Sequence, residues 1–432
     1  MNFVDIIEKK KNRLELTEEE IKYWIDEYCK DNIPDYQVSA LLMAITINGM
    51  SDLETFYLTK AMTYSGETID FKGIEGIKAD KHSTGGVGDK TSIALMPLLA
   101  TCGVKVAKMS GRGLGYCGGT VDKLESIPGM NVFLSQEKLT KQVNDIGIAM
   151  MGQTANLCPA DKKIYALRDV TSTVASNPLI VSSIMSKKLA CNDDVIVLDV
   201  KYGSGAFMPT IDDASELARQ MIAIGKYFGK NICAVITSME EVLGLAVGNA
   251  LEVKEAIDTL HGKGPKHFEE LVLESGAILL AQAGICSKEE GRTRLEENIK
   301  NGKAAELLKT MIKAQGGDER VVDDTLFLPS AKYVTEIKAD KSGYIAKMPA
   351  QLVGILSMEL GAGRQSKEDI IDPAVGIVLN KKVGDQVSAG ETVAYIHHNK
   401  ELSESFIERC NTIAEISDEK VTPVPVIEKV VY

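Results

Sequence analysis

"GIKADKHSTGGVGDKTSIALMPLLATCG", residues 76–103, decides the fold. It opens as a short strand-like run ending in Lys81, His82 and Ser83, passes through a glycine-rich turn, and continues as an apolar helical stretch from about Thr91. That order makes a β-loop-α unit. Glycines let the main chain approach a ligand closely, and the helix start turns its free N–H groups and positive end to the same point. Phosphate is the expected occupant, with a tight turn holding nothing as the alternative.

The next stretch, "VKVAKMSGRGLGYCGGTVDKLESIPG" (104–129), repeats the design with Lys108, Ser110 and Thr120 around further glycines. Adjacent parallel strands bring both loops to one sheet edge, where α/β proteins bind ligands. Neither loop is a G-x-x-x-x-G-K-[ST] triphosphate loop or a G-x-G-x-x-G dinucleotide fingerprint, so a free phosphate or a sugar phosphate is the better ligand.

Outward from this core the chain changes style. Residues 1–70 read as helices, with capping boxes at Thr17/Glu20 and Ser51/Glu54. Residues 71–156 are the first part of an α/β domain. Residues 157–193, with Asn177 as N-cap and Pro178 at the first helical position, return to the helical unit. Strands resume in 194–332, and 333–432 is rich in strands and turns. The expected fold is α/β plus α: a discontinuous helical domain, a largely parallel sheet with helices on both faces, and a C-terminal α+β domain.

Composition narrows the function classes. A formal net charge of -12 argues against nucleic acid or an anionic membrane as partner. The start of the chain turns charged within a few residues, unlike a signal peptide, and no apolar run approaches the ~20 residues of a membrane span, so a cytoplasmic protein is expected. Eight cysteines without a C-x-x-C pair suit reduced thiols.

"KHSTGGVGDKTS", "SGRGLGYCGGTVDKLESIPG", "YALRDVTSTVASNPLIVSSIMSKKLA" and "DVKYGSGAFM" together resemble the thymidine and pyrimidine-nucleoside phosphorylase family over essentially the whole chain. The resemblance implies reversible attack of inorganic phosphate on the anomeric carbon of a pyrimidine nucleoside, a homodimer and no organic cofactor. By similarity, Lys81, Ser83, Ser92, Lys108, Ser110 and Thr120 bind phosphate, and Arg168, Ser183 and Lys187 bind the polar edge of the base. His82, Arg168 and Lys187 are the implied catalytic groups, His82 by hydrogen-bonding the departing base or supplying a proton. Leu114, Tyr165, Ile180 and Phe207 would wall the ring. A structural potassium ion is implied on the carbonyls of Gly88, Lys90, Leu243 and Ala246 with the Glu255 carboxylate, the Lys90 side chain staying clear of the ion.

The family usually has His-Thr where this chain has Tyr116-Cys117. Lysine before "MSGRG", here Lys108, is typical of members that accept uridine as well as thymidine, and deoxyuridine is expected with them. Restriction to deoxynucleosides is the alternative. An anthranilate-type phosphoribosyltransferase is a further reading, and a non-catalytic phosphate sensor or a carrier domain modified at Lys347 is another.

Overall fold

The computed structural model describes residues 1–432 except Leu114, Cys117, Ala155, Lys367 and Glu368. Helices Phe3–Lys11, Glu18–Cys29, Asp35–Asn48 and Asp52–Thr63 pack with Pro159–Asp169 and Asn177–Leu189, which arrive from later in the chain. Their shared core joins Trp24, Leu41 and Ile45 to Ala160, Ile164 and Leu179. The helical domain is therefore discontinuous. Both capping boxes form, with Thr17 and Ser51 each accepting from the backbone of the glutamate three residues on. The cap of the last helix is Ser176 rather than the expected Asn177, which starts the helix itself.

The sheet strands are β1 (Ala79–Ser83), β2 (Val106–Ser110), β3 (Ile148–Gly152), β4 (Val195–Tyr202), β5 (Asn231–Ser238) and β6 (Ala246–Val247). β1, β4 and β5 pair in parallel, as do β2 and β3. A single parallel bridge between Lys78 and Lys105 sets β2 beside β1. Strand β4 is buried along its whole length, as expected of a strand covered on both faces. Helices Thr91–Ala100 and Lys266–Gln282 supply much of the packing on one face, and Ile211–Tyr227 lies against the sheet with Asn177–Leu189 behind it.

After residue 332 come β7 (Tyr333–Lys338), β8 (Gly343–Lys347), β9 (Gly376–Leu379), β10 (Gln386–Val387), β11 (Thr392–His398), β12 (Glu415–Ser417) and β13 (Ile427–Val431), with two short α-helices. The boundary at 332/333 is crossed in both directions. β13 pairs antiparallel with β5 and closes the edge of the α/β sheet, and β6 pairs with β9 in the C-terminal sheet. A cut at residue 332 would leave the edges of β5 and β9 unpaired. The seven described cysteines are all free thiols. No described helix is long and apolar enough to cross a membrane.

Candidate active site

Strands β1 and β2 end side by side in Ser83 and Ser110, and each opens into its glycine loop. Two buried charge clusters lie under these ends. In the first, Lys81 Nζ lies 2.8 Å from Asp199 Oδ2 and 3.6 Å from Asp89 Oδ2 without an aligned hydrogen bond. Lys201 also holds Asp199, at 2.9 Å, and the Thr237 hydroxyl donates to the same carboxylate. Burial acts against the charge on Asp89, but Lys81, Lys201 and Lys123 hold its carboxyl well below the usual range.

In the second cluster Asp80 bridges Lys108 at 2.9 Å and Lys188 at 2.8 Å, and Lys108 donates to the Lys81 carbonyl at 2.6 Å. Burial pushes the Lys108 ammonium down to about 8 against the pull of Asp80, and the neighbouring Lys188 and Lys81 charges add to the drop. Burial, then the charge of Asp80, pushes the Asp193 carboxyl well above the usual carboxylate range.

Above these clusters is a cavity of about 270 Å³. Of the six expected phosphate residues, Ser83, Ser92, Lys108, Ser110 and Thr120 line it, with His82 beside them. The Ser110 hydroxyl is buried and has no hydrogen-bond partner among the described residues, so it is free to donate to an anion. Lys81 is placed differently from the expectation. Its ammonium is drawn beneath the loop by Asp199 and Asp89, so it positions the loop while Lys108 faces the cavity. His82 also departs from one half of its expected role. Burial, then the charges of Lys188 and Lys108, holds the imidazole well below its ordinary range. It is neutral at physiological pH and offers a ring N–H, not an imidazolium proton.

The expected base-binding residues gather on the helical side. Lys187 Nζ donates to Asp161 Oδ2 at 2.6 Å and to Ser183 Oγ at 3.3 Å, one turn back on the same helix, and its charge acts on His82. Arg168 is buried, giving Nε to Thr173 O at 3.1 Å, Nη1 to Leu179 O at 3.0 Å and Nη2 to Val174 O at 2.7 Å. Among the described residues, each terminal nitrogen has one acceptor for its two N–H groups. Tyr165 and Phe207, the latter 57% exposed, line the cavity and a second recess of about 190 Å³ that continues from it past Gly85. Arg168, Ser183 and Lys187 are not among the described residues that line either space, although the Arg168 guanidinium lies 5.7 Å from the Tyr165 ring. Ile180 is not brought to the ring site but packs against the cluster of Val181, Met185 and Ile196. Leu114 lies outside the described residues, as does Cys117 of the Tyr116-Cys117 pair.

The expected cation residues also meet, with one correction. The Lys90 side chain does not stay clear. It enters the cage, where Nζ donates to Leu243 O and Ala246 O, both at 2.9 Å, and pairs with Glu255 Oε2. Lys347, the carrier-domain candidate, ends strand β8 rather than capping a hairpin, and its exposed ammonium lies 3.3 Å from Glu415.

Sequence reasoning missed the carboxylates and lysines that hold the loops: Asp80, Asp89, Lys188, Asp199 and Lys201. A signal was present in "VIVLDVKY", an otherwise apolar buried strand carrying one acid and one base, because burial of unpaired charge is costly. Asp122 was missed as well. It accepts from Arg112 at 3.1 Å, Gly113 N at 2.6 Å and Arg364 at 3.0 Å, tying the second loop to the C-terminal domain.

Residues 4–66 match the family described as "Glycosyl transferase family, helical bundle domain", 75–305 "Glycosyl transferase family, a/b domain", and 344–417 "Pyrimidine nucleoside phosphorylase C-terminal domain". The chain is 54% identical over 424 residues to a pyrimidine-nucleoside phosphorylase of Staphylococcus haemolyticus, covering 98% of each chain. It is 55% identical over 416 residues to one of Staphylococcus epidermidis, covering 96% of each. Among solved structures, anthranilate phosphoribosyltransferase from Thermus thermophilus matches with a TM-score of 0.58 at 19% identity, over 72% of this chain and 98% of that one. At that identity the match shows a shared fold.

Proposed function

The chain belongs to the pyrimidine-nucleoside phosphorylase family and is a pentosyltransferase, and from that premise we propose that it cleaves uridine, thymidine and deoxyuridine reversibly with inorganic phosphate. The products are the free base and an α-pentose 1-phosphate. The observation that carries this reading is the cavity over β1 and β2, where Lys108 and four hydroxyls converge and the Ser110 hydroxyl waits unpaired.

In this reading the two loops hold the phosphate in line with the anomeric carbon. A phosphate oxygen forms the new C–O bond as the C–N bond breaks, and the departing electron pair passes to the pyrimidine ring. Lys187 and the free N–H groups of Arg168 bind the ring's polar edge, where that charge gathers. His82, neutral, donates a hydrogen bond near the leaving group. Positioning and fixed electrostatics then supply most of the rate. Tyr165 and Phe207 exclude water from the ring's faces.

Homodimer formation belongs to the same proposal. It is supported by Tyr36, Met43 and Ile47, exposed apolar residues along one helix, Asp35–Asn48. A cytoplasmic location and a role in nucleoside salvage are proposed with it.

The test is release of uracil and thymine from uridine, thymidine and deoxyuridine, with and without phosphate, in magnesium-free buffer. Phosphate-dependent release from ribo- and deoxynucleosides alike is expected. Release from deoxynucleosides alone narrows the activity to them. No release without magnesium and a phosphoribosyl diphosphate donor would replace it with the phosphoribosyltransferase reading.

A further inference from the structure

Two glycines shape the cage around Lys90. Gly88, at φ +75°, brings the first loop so close that a β-carbon there would meet Leu243 O at 2.6 Å and Ala246 O at 3.1 Å. Gly244, at φ +74°, wraps from the other side, and a β-carbon on it would lie 2.6 Å from Lys90 Nζ. Side chains at either position are excluded by conformation and by space. Main-chain carbonyls directed at one point with a single carboxylate are the donor set of a monovalent cation.

The cage has an occupant of its own. The Lys90 side chain is fully buried, and its three N–H donors have three acceptors in Leu243 O, Ala246 O and Glu255 Oε2. The Phe268 ring lies 5.4 Å away on the apolar side. One ammonium balances one carboxylate. The adjacent Lys382, which donates to Val242 O at 2.6 Å and pairs with Glu241 at 3.0 Å, adds a second positive charge nearby. A free potassium ion does not fit this arrangement, because it would need the oxygens that Nζ already holds and would stand beside two ammonium groups.

We propose that Lys90 is a tethered cation: its ammonium fills the carbonyl cage and closes the first phosphate loop against residues 243–246, so this chain needs no free monovalent ion there. Lys90 is the residue immediately before helix Thr91–Ala100, and β6 begins at Ala246. The ammonium therefore joins the phosphate loop to the strand that enters the C-terminal sheet. It acts as a positioning residue and touches no substrate.

The test uses full-length enzyme exchanged into N-methylglucamine chloride and requires no substrate, so its outcome is separable from the activity proposed above. Elemental analysis is expected to find far less than one potassium per chain after brief dialysis against potassium chloride. The melting temperature is expected to be the same in potassium, sodium and N-methylglucamine chlorides at equal ionic strength. Stoichiometric potassium, or a saturable rise in Tm specific to potassium, overturns the proposal. The variant Lys90→Ser keeps the carbonyls and Glu255 while removing the ammonium. It is expected to melt lower in N-methylglucamine and to recover several degrees with potassium, as a ligand bound only to the native state requires. A variant that melts as the parent does in every salt also overturns it.

Discussion

Lys90 and Lys108 are both buried next to the two glycine loops, yet the protein treats them in opposite ways. Lys90 has its donors consumed by two carbonyls and a carboxylate. Lys108 makes one aligned hydrogen bond among the described residues, to Lys81 O, and shares its carboxylate, Asp80, with Lys188. The first arrangement leaves nothing for a ligand, and the second leaves an N–H and an under-compensated charge facing a cavity. Of these two, the ammonium with too few local partners is the one that lines the cavity, and the saturated one does not.

The same replacement at both positions should separate these roles. Lys108→Met is expected to lower kcat/KM for phosphate by about 10²–10³, the scale of losing one preorganised donor. Its melting temperature should stay near the parent's, because Asp80 keeps Lys188 at 2.8 Å and a like-charge contact is relieved. If Lys108 also selects substrates, uridine turnover falls more than thymidine turnover, whereas equal losses confine it to phosphate. Steady-state kinetics with phosphate varied, alongside a thermal melt, decides this, and an unchanged kcat/KM would remove Lys108 from the anion site.

Lys90→Met should show the reverse pattern. Glu255 loses its counter-charge inside the protein, which costs on the order of 3 kcal/mol of folding stability, the lower end for a broken buried pair. The lower end applies because the N–H groups of Leu245, at 2.8 Å, and Ala246, at 3.2 Å, still reach that carboxylate. Denaturant titration of the variant reads this directly. Full stability after the replacement would show that the pair contributes nothing to the fold.

The contrast between the two lysines also shows what the sequence could and could not disclose. Both β-loop-α units were legible from glycine clusters between strand-like and helical runs, and five of the six expected phosphate residues line one cavity. The helical domain's return after residue 156 was legible from apolar spacing and a proline at a helix start. Lys81 and the Lys90 side chain were not, because spacing fixes which strand or loop a residue occupies but not which buried carboxylate claims its ammonium. Asp199 lies more than a hundred residues from Lys81, and Glu255 more than a hundred from Lys90, so no local pattern links either pair. The pairings across residue 332 were hidden for the same reason: β13 and β6 are ordinary short strands whose partners are distant in the chain.

The smallest expected effect is the sharpest test of the Lys108 environment. Its ammonium ordinarily titrates at 10.5 and is pushed down to about 8 in the ligand-free site. Between those values the unfolded chain binds the proton and the folded one does not, so folding stability should rise with pH through that window. Phosphate binding should run the other way. The anion favours charged Lys108, so its affinity is insensitive to this group below about pH 8 and declines by up to about tenfold per pH unit above it, as the site must first take up a proton. Phosphate is already a dianion across that range, which leaves Lys108 as the titrating partner. Calorimetric titration of phosphate against pH, paired with thermal melts of the free enzyme, should therefore give slopes of opposite sign over the same interval. Lys108→Met should flatten both. A phosphate affinity that holds steady through the window would mean that Asp80 keeps Lys108 charged throughout, and the distinction from Lys90 would then rest on geometry alone.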